Sequence, residues 1–206
     1  MQLVKKYSKL MYGKFEMCLM GELNYFLGLQ IKQLNEGTFV CQTKYCNDLL
    51  KQFGMEDAKF IDTPMPTNGH LERNENGKDV DHKKYRGTIG SLLYITASRS
   101  DNMFNVCMCV HYQSTPKESH LKAIKRILRY LHGTSKYELW YSKGSEFNFV
   151  SYNDFDFSNC KLDRKSTSGT CHMFLNSLVS WHSKKQVSFA LSTVEAEYVA
   201  ADYCCA

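Results

Sequence analysis

Residues 120–134 have the sequence His-Leu-Lys-Ala-Ile-Lys-Arg-Ile-Leu-Arg-Tyr-Leu-His-Gly-Thr. The aliphatic side chains in this stretch recur every three or four positions, which is the period of an amphipathic helix. They are Leu121, Ile124, Ile127, Leu128 and Leu131. The cationic side chains fall along another side of the same helix, at Lys122, Lys125, Arg126 and Arg129. The stretch therefore predicts a helix with one buried face and one basic face.

The basic face has two interpretations. A row of Lys and Arg side chains on a helix is most often a solvated surface, and the pattern alone favours that interpretation. The alternative is that the cations pair with the phosphates of a nucleic acid. The excess of 26 Lys and Arg over 21 Asp and Glu, a net charge of +5, is compatible with both.

Helical periodicity extends upstream of this stretch. Residues 83–132 are predicted to form three helices, with breaks near residues 98–100 and at Pro116, because proline ends or kinks a helix. Before them, residues 62–81 contain two of the three prolines and show no periodicity, which predicts a loop or linker.

The first 60 residues combine both kinds of element. The predicted elements are a helix at 2–11, a strand at 15–20, a hairpin of strands at 26–32 and 38–41 with its turn at 35–37, and a helix at 44–53. Thr43 is predicted to cap that second helix and Gly54 to end it.

Beyond Gly133 the hydrophobic period changes from that of a helix to that of strands. Strands are predicted at residues 137–141, 147–155, 169–175 and 178–181, followed by a helix from Ser192. These elements form a β-meander followed by a helix, and the whole chain belongs to the α+β class.

Composition excludes several classes of protein. The apolar fraction of 43% is enough for a folded core. The nine cysteines include no Cys-x-x-Cys pair, which argues against a disulfide framework or a zinc ribbon. No apolar run approaches the roughly 18 residues of a membrane span, and the first residues lack a signal-peptide core. We expect an intracellular, reducing environment and no membrane partner.

Six separated segments resemble the Pol polyprotein of copia-type long-terminal-repeat retrotransposons, and they occur in that family's order. They are Gly21-Glu-Leu-Asn-Tyr-Phe-Leu-Gly-Leu-Gln-Ile31, Tyr85-Arg-Gly-Thr-Ile-Gly-Ser-Leu-Leu-Tyr94, the stretch of residues 120–134, Asp163-Arg-Lys-Ser-Thr-Ser-Gly169, Ser180-Trp-His-Ser-Lys-Lys-Gln186 and Ser192-Thr-Val-Glu-Ala-Glu-Tyr198. Any one segment is weak, but the joint order is specific.

The resemblance implies an architecture. Residues 1–66 would be the end of a reverse-transcriptase palm with its primer-grip hairpin, and residues 67–144 a helical thumb or tether. Residues 145–206 would be a truncated ribonuclease H-like α/β domain, with a mixed sheet and one helix.

The polymerase centre of the family is absent from this sequence. That centre is a Tyr-x-Asp-Asp turn whose two carboxylates hold Mg²⁺ ions, and the chain contains no Asp-Asp dipeptide. The segment Tyr152-Asn-Asp-Phe155 matches only superficially, because Phe155 stands where the second aspartate belongs. We expect no DNA synthesis by this chain alone.

The resemblance assigns nucleic-acid contacts to two places. Phe26, Leu27 and Gly28 would form the primer grip, whereas the pattern alone favours a bulge or tight packing at Gly28. The basic helix would be a thumb helix whose four cationic side chains pair with phosphates of template and primer. These are Lys122, Lys125, Arg126 and Arg129.

The ribonuclease H half carries two carboxylates of the family's active site. By resemblance these catalytic and metal-binding residues are Asp154 and Glu197, and the ions would be two Mg²⁺ that align a water for attack on the RNA strand. Asp156 and Glu195 are the alternatives, and all four acids are otherwise solvated surface charges. The family's later carboxylates are expected beyond residue 206, so Mg²⁺ binding should be weak or absent.

Three positions depart from the family pattern. Ser100 stands where proline is usual, Phe155 where a small residue is usual, and His182 is also atypical. An isolated histidine on a strand is most often structural, so His182 is given no catalytic role.

Two functions remain open from the sequence. The first is a fragment of a reverse transcriptase and ribonuclease H that is inactive alone. The second is a non-catalytic module that binds the backbone of an RNA/DNA hybrid or duplex. The expected partners are that nucleic acid and the missing parts of the Pol polyprotein, which in a full-length element work in cytoplasmic virus-like particles.

Overall fold

The structure, a computed structural model, describes residues 2–18, 21–66, 71–144, 147–157 and 163–205. It contains helices and strands in a mixed α+β arrangement, as predicted from the sequence. In chain order the elements are α1 (Gln2–Tyr12), β1 (Tyr25–Phe26), β2 (Leu29–Gln33), β3 (Gly37–Cys41), α2 (Thr43–Gln52), α3 (His82–Ile95), a 3₁₀ turn (Ser100–Asn102), α4 (Met103–Val110), α5 (Glu118–Gly133), β4 (Leu139–Ser142), β5 (Phe149–Asp156), β6 (Thr167–Phe174), β7 (Ser177–Lys185) and α6 (Thr193–Cys205).

The first sheet is antiparallel with the order β1-β2-β3-β4. Strand β4 was predicted to begin the second sheet, but that prediction is wrong because Val40 pairs with Leu139 and Gly37 with Ser142. The rings of Phe39 and Trp140 lie 4.3 Å apart across these strands. Pairing with β3 thus gives β4 an aromatic neighbour that local sequence does not reveal.

The helical unit consists of α2, α3, α4 and α5 around one core, and its three later helices confirm the prediction for residues 83–132. Its buried aliphatic residues come from all four helices. They include Leu49, Leu50, Ile89, Leu92, Ile95, Val106, Ile124, Ile127, Leu128 and Leu131. The predicted buried face of α5 is therefore confirmed, except that Leu121 is only partly buried.

The helix ends differ in part from the predictions. Thr43 does not cap α2, because it is the first helical residue and the preceding Gln42 makes no side-chain cap bond. Instead Gln30 Oε1 accepts a hydrogen bond from the backbone N–H of Lys44 at 2.7 Å. Asp81 caps α3, and the backbone N–H groups of Lys84 and Lys83 lower the pKa of its carboxyl group.

The loop predicted at residues 62–81 is irregular where it is described, and residues 67–70 lie outside the described residues. Its second half is fastened to the start of α5. The ring of His120 lies 2.7 Å from the carbonyl of Glu72, and Lys117 Nζ lies 2.7 Å from Asp79 Oδ1. Tyr112 stacks on His120 and donates its hydroxyl to the carbonyl of Leu71 at 2.6 Å.

A buried ion pair joins the end of α3 to the end of α5. Arg99 is 4% exposed and donates two hydrogen bonds to Asp101, at 2.9 and 2.6 Å. It also donates to the carbonyl of Thr134, and Tyr130 donates its hydroxyl to Asp101 at 2.7 Å. Burial raises the pKa of Asp101, but the hydrogen bonds and charge of Arg99 outweigh it, and the net pKa is lowered.

The second sheet is antiparallel with the order β5-β6-β7, and α6 packs on it. The last three strands of the predicted meander and the final helix are confirmed. The mixed sheet implied by the resemblance is wrong for the described residues, because both pairs of neighbouring strands are antiparallel. Trp181 on β7 donates its indole N–H to the carbonyl of Thr96 at 2.9 Å, which ties this sheet to the end of α3. Ser142 of β4 also donates its backbone N–H to the hydroxyl oxygen of Ser177, at 3.3 Å.

The amino-terminal segment makes few contacts. Helix α1 confirms the prediction for residues 2–11, and it buries none of its residues. The strand predicted at 15–20 is wrong for residues 15–18, which are irregular, while residues 19–20 lie outside the described residues. In the part of the chain that the structure describes, no helix is long and apolar enough to span a membrane.

Candidate nucleic-acid interface

The predicted primer-grip segment forms a tight turn. Phe26 pairs with Leu29, so Leu27 and Gly28 are the two turn residues between β1 and β2, with φ values of 47° and 77°. Two consecutive positive φ values are those of the hairpin turn that matches strand twist. The backbone therefore reverses within the apolar run that the sequence predicts to be a continuous strand.

The positive φ of Gly28 and the space around it both favour glycine at this turn. A Cβ atom at Gly28 would lie 3.0 Å from the hydroxyl of Tyr94 on α3. This close approach agrees with tight packing, the alternative that the pattern favours for this glycine. Phe26 and Leu27 are 53% and 70% exposed at the tip of the turn, and their contact with nucleic acid remains a prediction.

The turn belongs to an exposed aromatic surface. Tyr25 is also exposed, and Lys44 Nζ lies 5.2 Å from the centroid of its ring. The ring of Tyr45 meets that of Tyr94 edge to face at 4.8 Å. These residues were not predicted from the sequence, because their proximity depends on how α2 and α3 pack. The one local signal was Tyr25 next to Phe26.

The four cations of α5 fall into two pairs with different surroundings. Lys122 and Lys125 are exposed, whereas Arg126 and Arg129 are partly buried. Lys122 Nζ lies 3.8 Å from Glu118, a solvent-exposed pair that contributes little to stability. The two lysines therefore remain accessible to an anionic partner.

The two arginines bind the segment that follows α2. Arg126 donates from Nη2 to the hydroxyl of Thr63 at 2.9 Å, and its Nε donates to the Thr63 carbonyl at 3.2 Å. Arg129 donates from Nε to the carbonyl of Lys59 at 2.8 Å. The structure therefore gives these arginines a role in holding residues 59–63 against α5, which the one-dimensional pattern could not indicate.

Asp154 lies within β5 and is exposed. Its Oδ1 accepts a hydrogen bond from the backbone N–H of Phe155 at 2.8 Å. Asp156, two residues further, points to the same face of the strand. Both aspartates line an open cleft of about 810 Å³, whose other wall contains Met103 and Phe104.

Strand register defines which face carries these aspartates. Phe155 pairs with Ser168, and Ser168 pairs with Lys184, so these three side chains share one face of the sheet. Side chains alternate along a strand, which directs Asp154 and Asp156 to the other face.

Helix α6 covers the face that carries Lys184. The Nζ atom of Lys184 lies 5.8 Å from the centroid of the Tyr203 ring, and Gln186 on the same face donates to the carbonyl of Ala196 at 2.9 Å. Glu197 follows Ala196 on this helix and is exposed. Strand alternation therefore directs Asp154 away from the face that carries Lys184, and a shared site of Asp154 and Glu197 stays a prediction.

The carboxylates fit a magnesium site poorly. Mg²⁺ requires a near-octahedral set of oxygen ligands. Within the described residues, no group of three or more His, Cys, Asp and Glu side chains could hold a metal ion. No reaction step through a metal is therefore derived for this chain.

His182 has a structural environment. Its Nδ1 lies 2.7 Å from the hydroxyl of Thr170, its partner on the neighbouring strand. Burial lowers the pKa of the imidazole, so the ring is neutral near pH 7. The contact with Thr170 gives His182 a partner across the pairing of β6 with β7.

Comparison with known proteins indicates the class of protein to which this chain belongs. The model of the family described as reverse transcriptase (RNA-dependent DNA polymerase) matches residues 1–67. The retrovirus-related Pol polyprotein from transposon RE1 of Arabidopsis thaliana is 38% identical over 177 residues, 86% of this chain and 12% of that protein. The Pol polyprotein from transposon TNT 1-94 of Nicotiana tabacum is 33% identical over 196 residues, 91% of this chain and 15% of that protein.

A shorter relative exists as well. An uncharacterized mitochondrial protein of Arabidopsis thaliana is 34% identical over 187 residues, 89% of this chain and 76% of that protein. No solved structure matches the chain. The chain belongs to the family of Pol polyproteins of copia-type retrotransposons, and it spans about one eighth of the length of the first two relatives.

Proposed function

We propose that this chain joins the end of a reverse transcriptase to the start of a ribonuclease H domain, and that by itself it binds the backbone of an RNA/DNA hybrid or duplex without cleaving it. In this proposal residues 1–66 are the palm end and primer grip, residues 67–144 the thumb, and residues 145–206 the ribonuclease H-like part. The observation that carries the binding role is the exposed pair Lys122 and Lys125 on a helix whose opposite face is buried.

The proposed contacts are electrostatic and independent of base sequence. Lysine side chains on one face of a rigid helix neutralise phosphates and release condensed counterions, which supplies most non-specific binding free energy. Phe26 and Leu27 add an exposed apolar tip on the neighbouring sheet, where a base can stack on Tyr25. Arg126 and Arg129 contribute through the N–H groups that the segment at 59–63 does not use.

Salt dependence tests the binding role. Fluorescence anisotropy with an RNA/DNA hybrid should show affinity falling steeply between 50 and 200 mM salt. A Lys122→Ala/Lys125→Ala variant should lose about two units of the slope of log affinity against log salt, since two phosphate contacts are removed. Lys32→Ala/Lys143→Ala, which removes one exposed lysine of β2 and one directly after β4, is the matched control. Equal slopes for the three proteins would contradict the proposal.

Catalysis is not proposed for the isolated chain. Primer extension on a primed RNA template should be absent, because the chain lacks the paired aspartates of the family's polymerase centre. Cleavage of a labelled hybrid should also be negligible, because within the described residues no group of three or more His, Cys, Asp and Glu side chains could hold a metal ion. Activity that follows this protein through purification would overturn that expectation.

The family assignment of Asp154 and Glu197 is tested in a longer protein. In a Pol polyprotein that contains this chain, we expect Asp154→Asn and Glu197→Gln each to abolish hybrid cleavage, since a two-metal site fails when one ligand is lost. Asp156→Asn and Glu195→Gln should retain cleavage. Full activity of either of the first two variants would remove the assignment.

A further inference from the structure

A cavity of about 560 Å³ lies between α5 and the described residues of the segment that joins α2 to α3. Its walls are mostly apolar and are formed by Met55, Met65, Pro66 and Leu71, with Ala123 of α5 at the base. Met55, Leu71 and Ala123 also pack against the core of the helical unit. We call this cavity the methionine pocket, and three of its lining residues rest on the hydrophobic core of the helical unit.

The rim of the methionine pocket is cationic. It contains Lys122, Lys125, Arg126 and Arg129, and none of the described residues that line the pocket is acidic. Arg126 and Arg129 are held in place by Thr63 and by the carbonyl of Lys59. A guanidinium group has five N–H donors, and these contacts use only some of them. The rim therefore presents positioned donors at the mouth of an apolar cavity.

We propose that the methionine pocket accepts the base of one nucleotide while the cationic rim holds its phosphate. The inference rests on the proposed function and deepens it, because it names the part of the nucleic acid that would enter this face. A ligand that fits must combine a flat apolar body with an anionic group. The volume lies within the usual range for small-molecule sites, and methionine thioethers pack well on aromatic rings.

Backbone binding and base binding are separable in this geometry. The lysines alone account for non-specific attraction of phosphates. Insertion of a base additionally requires the apolar walls, so it should depend on Met55 and Met65. An unpaired or terminal nucleotide would enter the pocket, since a base in a duplex is stacked between its neighbours.

Methyl resonances of methionine offer a direct test on the full chain. The protein is labelled with ¹³C at the methionine methyl groups and titrated with adenosine 5′-monophosphate. We expect saturable shifts at Met55 and Met65, while the methyl group of Met108, which is buried on α4, stays unchanged. Adenosine should bind about tenfold more weakly, and inorganic phosphate should not shift either pocket methyl group.

Charge and wall variants separate the two parts of the site. Lys122→Glu/Lys125→Glu should weaken binding of adenosine monophosphate roughly tenfold, because two attractive contacts become repulsive. Lys32→Glu/Lys143→Glu changes the net charge equally and should leave the affinity as it is. Met65→Ala should weaken adenosine monophosphate binding about threefold, by removing packing on the base, while the salt slope for the hybrid stays unchanged.

The outcomes are distinguishable. The inference is wrong if adenosine 5′-monophosphate shifts neither Met55 nor Met65. It is also wrong if the fatty acid decanoate shifts these two methyl groups as strongly as the nucleotide does. If hybrid binding still shows the predicted salt slope, the proposed function survives that failure. Nucleotide shifts at the two methionines without any hybrid binding would support the pocket and contradict the proposed function.

Discussion

The helical unit and the second sheet bury different kinds of side chain. Helices α2 to α5 enclose large aliphatic residues, with Leu92 and Ile127 at 0% exposure. The unit of β5, β6, β7 and α6 buries alanines and polar groups, including Ser168 and Gln186, and leaves apolar side chains such as Leu191 at the surface. The helical unit therefore has the complete hydrophobic core, and the sheet depends more on hydrogen bonds and on contacts with its neighbours.

The largest expected effect contrasts one leucine from each region. Leu92→Ala should lower the free energy of unfolding by about 3 kcal/mol, because it opens a cavity in a packed core. Leu191→Ala, at a side chain that is 83% exposed, should change it by less than about 0.5 kcal/mol. Urea unfolding followed by circular dichroism measures both. If both variants lose the same free energy of unfolding, the second region has a hydrophobic core of its own.

The buried ion pair gives the next effect. Arg99→Ala should cost about 2 kcal/mol, since it leaves Asp101 partly buried without its charge partner. The matched control is Arg73→Ala, which removes an exposed pair with Glu75 at 3.5 Å and should have almost no effect. Equal unfolding midpoints in urea for both variants would show that the Arg99 contacts do not join α3 to α5.

The connection between the two regions can be weakened at one hydrogen bond. Trp181→Phe keeps an aromatic ring and removes the indole donor to Thr96, which should cost about 1 kcal/mol. Amide hydrogen exchange should then accelerate in β6 and β7 and stay unchanged in α3. Val179→Ala, at an exposed position of β7, serves as the control. Faster exchange throughout α3 would mean that the helical unit also relies on this contact.

The smallest effect concerns pH. Burial lowers the pKa of His120 from its ordinary value of 6.5, and its Nδ1 accepts the backbone N–H of Lys117 at 2.9 Å. The folded state prefers the neutral ring, so the contribution of His120 to stability is fully present above its unfolded pKa of 6.5. This contribution is lost as pH falls through the lower pKa of the folded state. The free energy of unfolding should therefore be lower at pH 5.5 than at pH 7.5. His120→Asn should be less stable at both values and show a smaller pH difference.

Periodicity predicted the helical half of the fold well. The apolar spacing of residues 121–131 gave α5 and its buried face, and Pro116 separated α4 from α5 correctly. The strand at residues 137–141 was assigned to the wrong sheet, because pairing with β3 is a contact between residues about one hundred positions apart. The turn at Leu27 and Gly28 was missed, since an apolar run does not reveal two positive φ values.

The residue types of the candidate site could be predicted from the sequence, but their arrangement in space could not. The four cations of α5 were found by their spacing, but their separation into accessible lysines and arginines bound to residues 59–63 depends on tertiary contacts. The carboxylates came only from family resemblance. Their positions follow from strand register and from the side on which α6 packs, neither of which is present in a local pattern.

The pairing of β3 with β4 has a consequence for synthesis on the ribosome. Strand β3 exposes an open edge at Gly37–Cys41 until Leu139–Ser142 leaves the exit tunnel, and the whole helical unit is made in between. Such non-local pairing slows folding, and an unpaired strand edge is a template for aggregation during that delay. Nascent chains that stop before Leu139 should therefore recruit chaperones more strongly than chains that extend past Ser142.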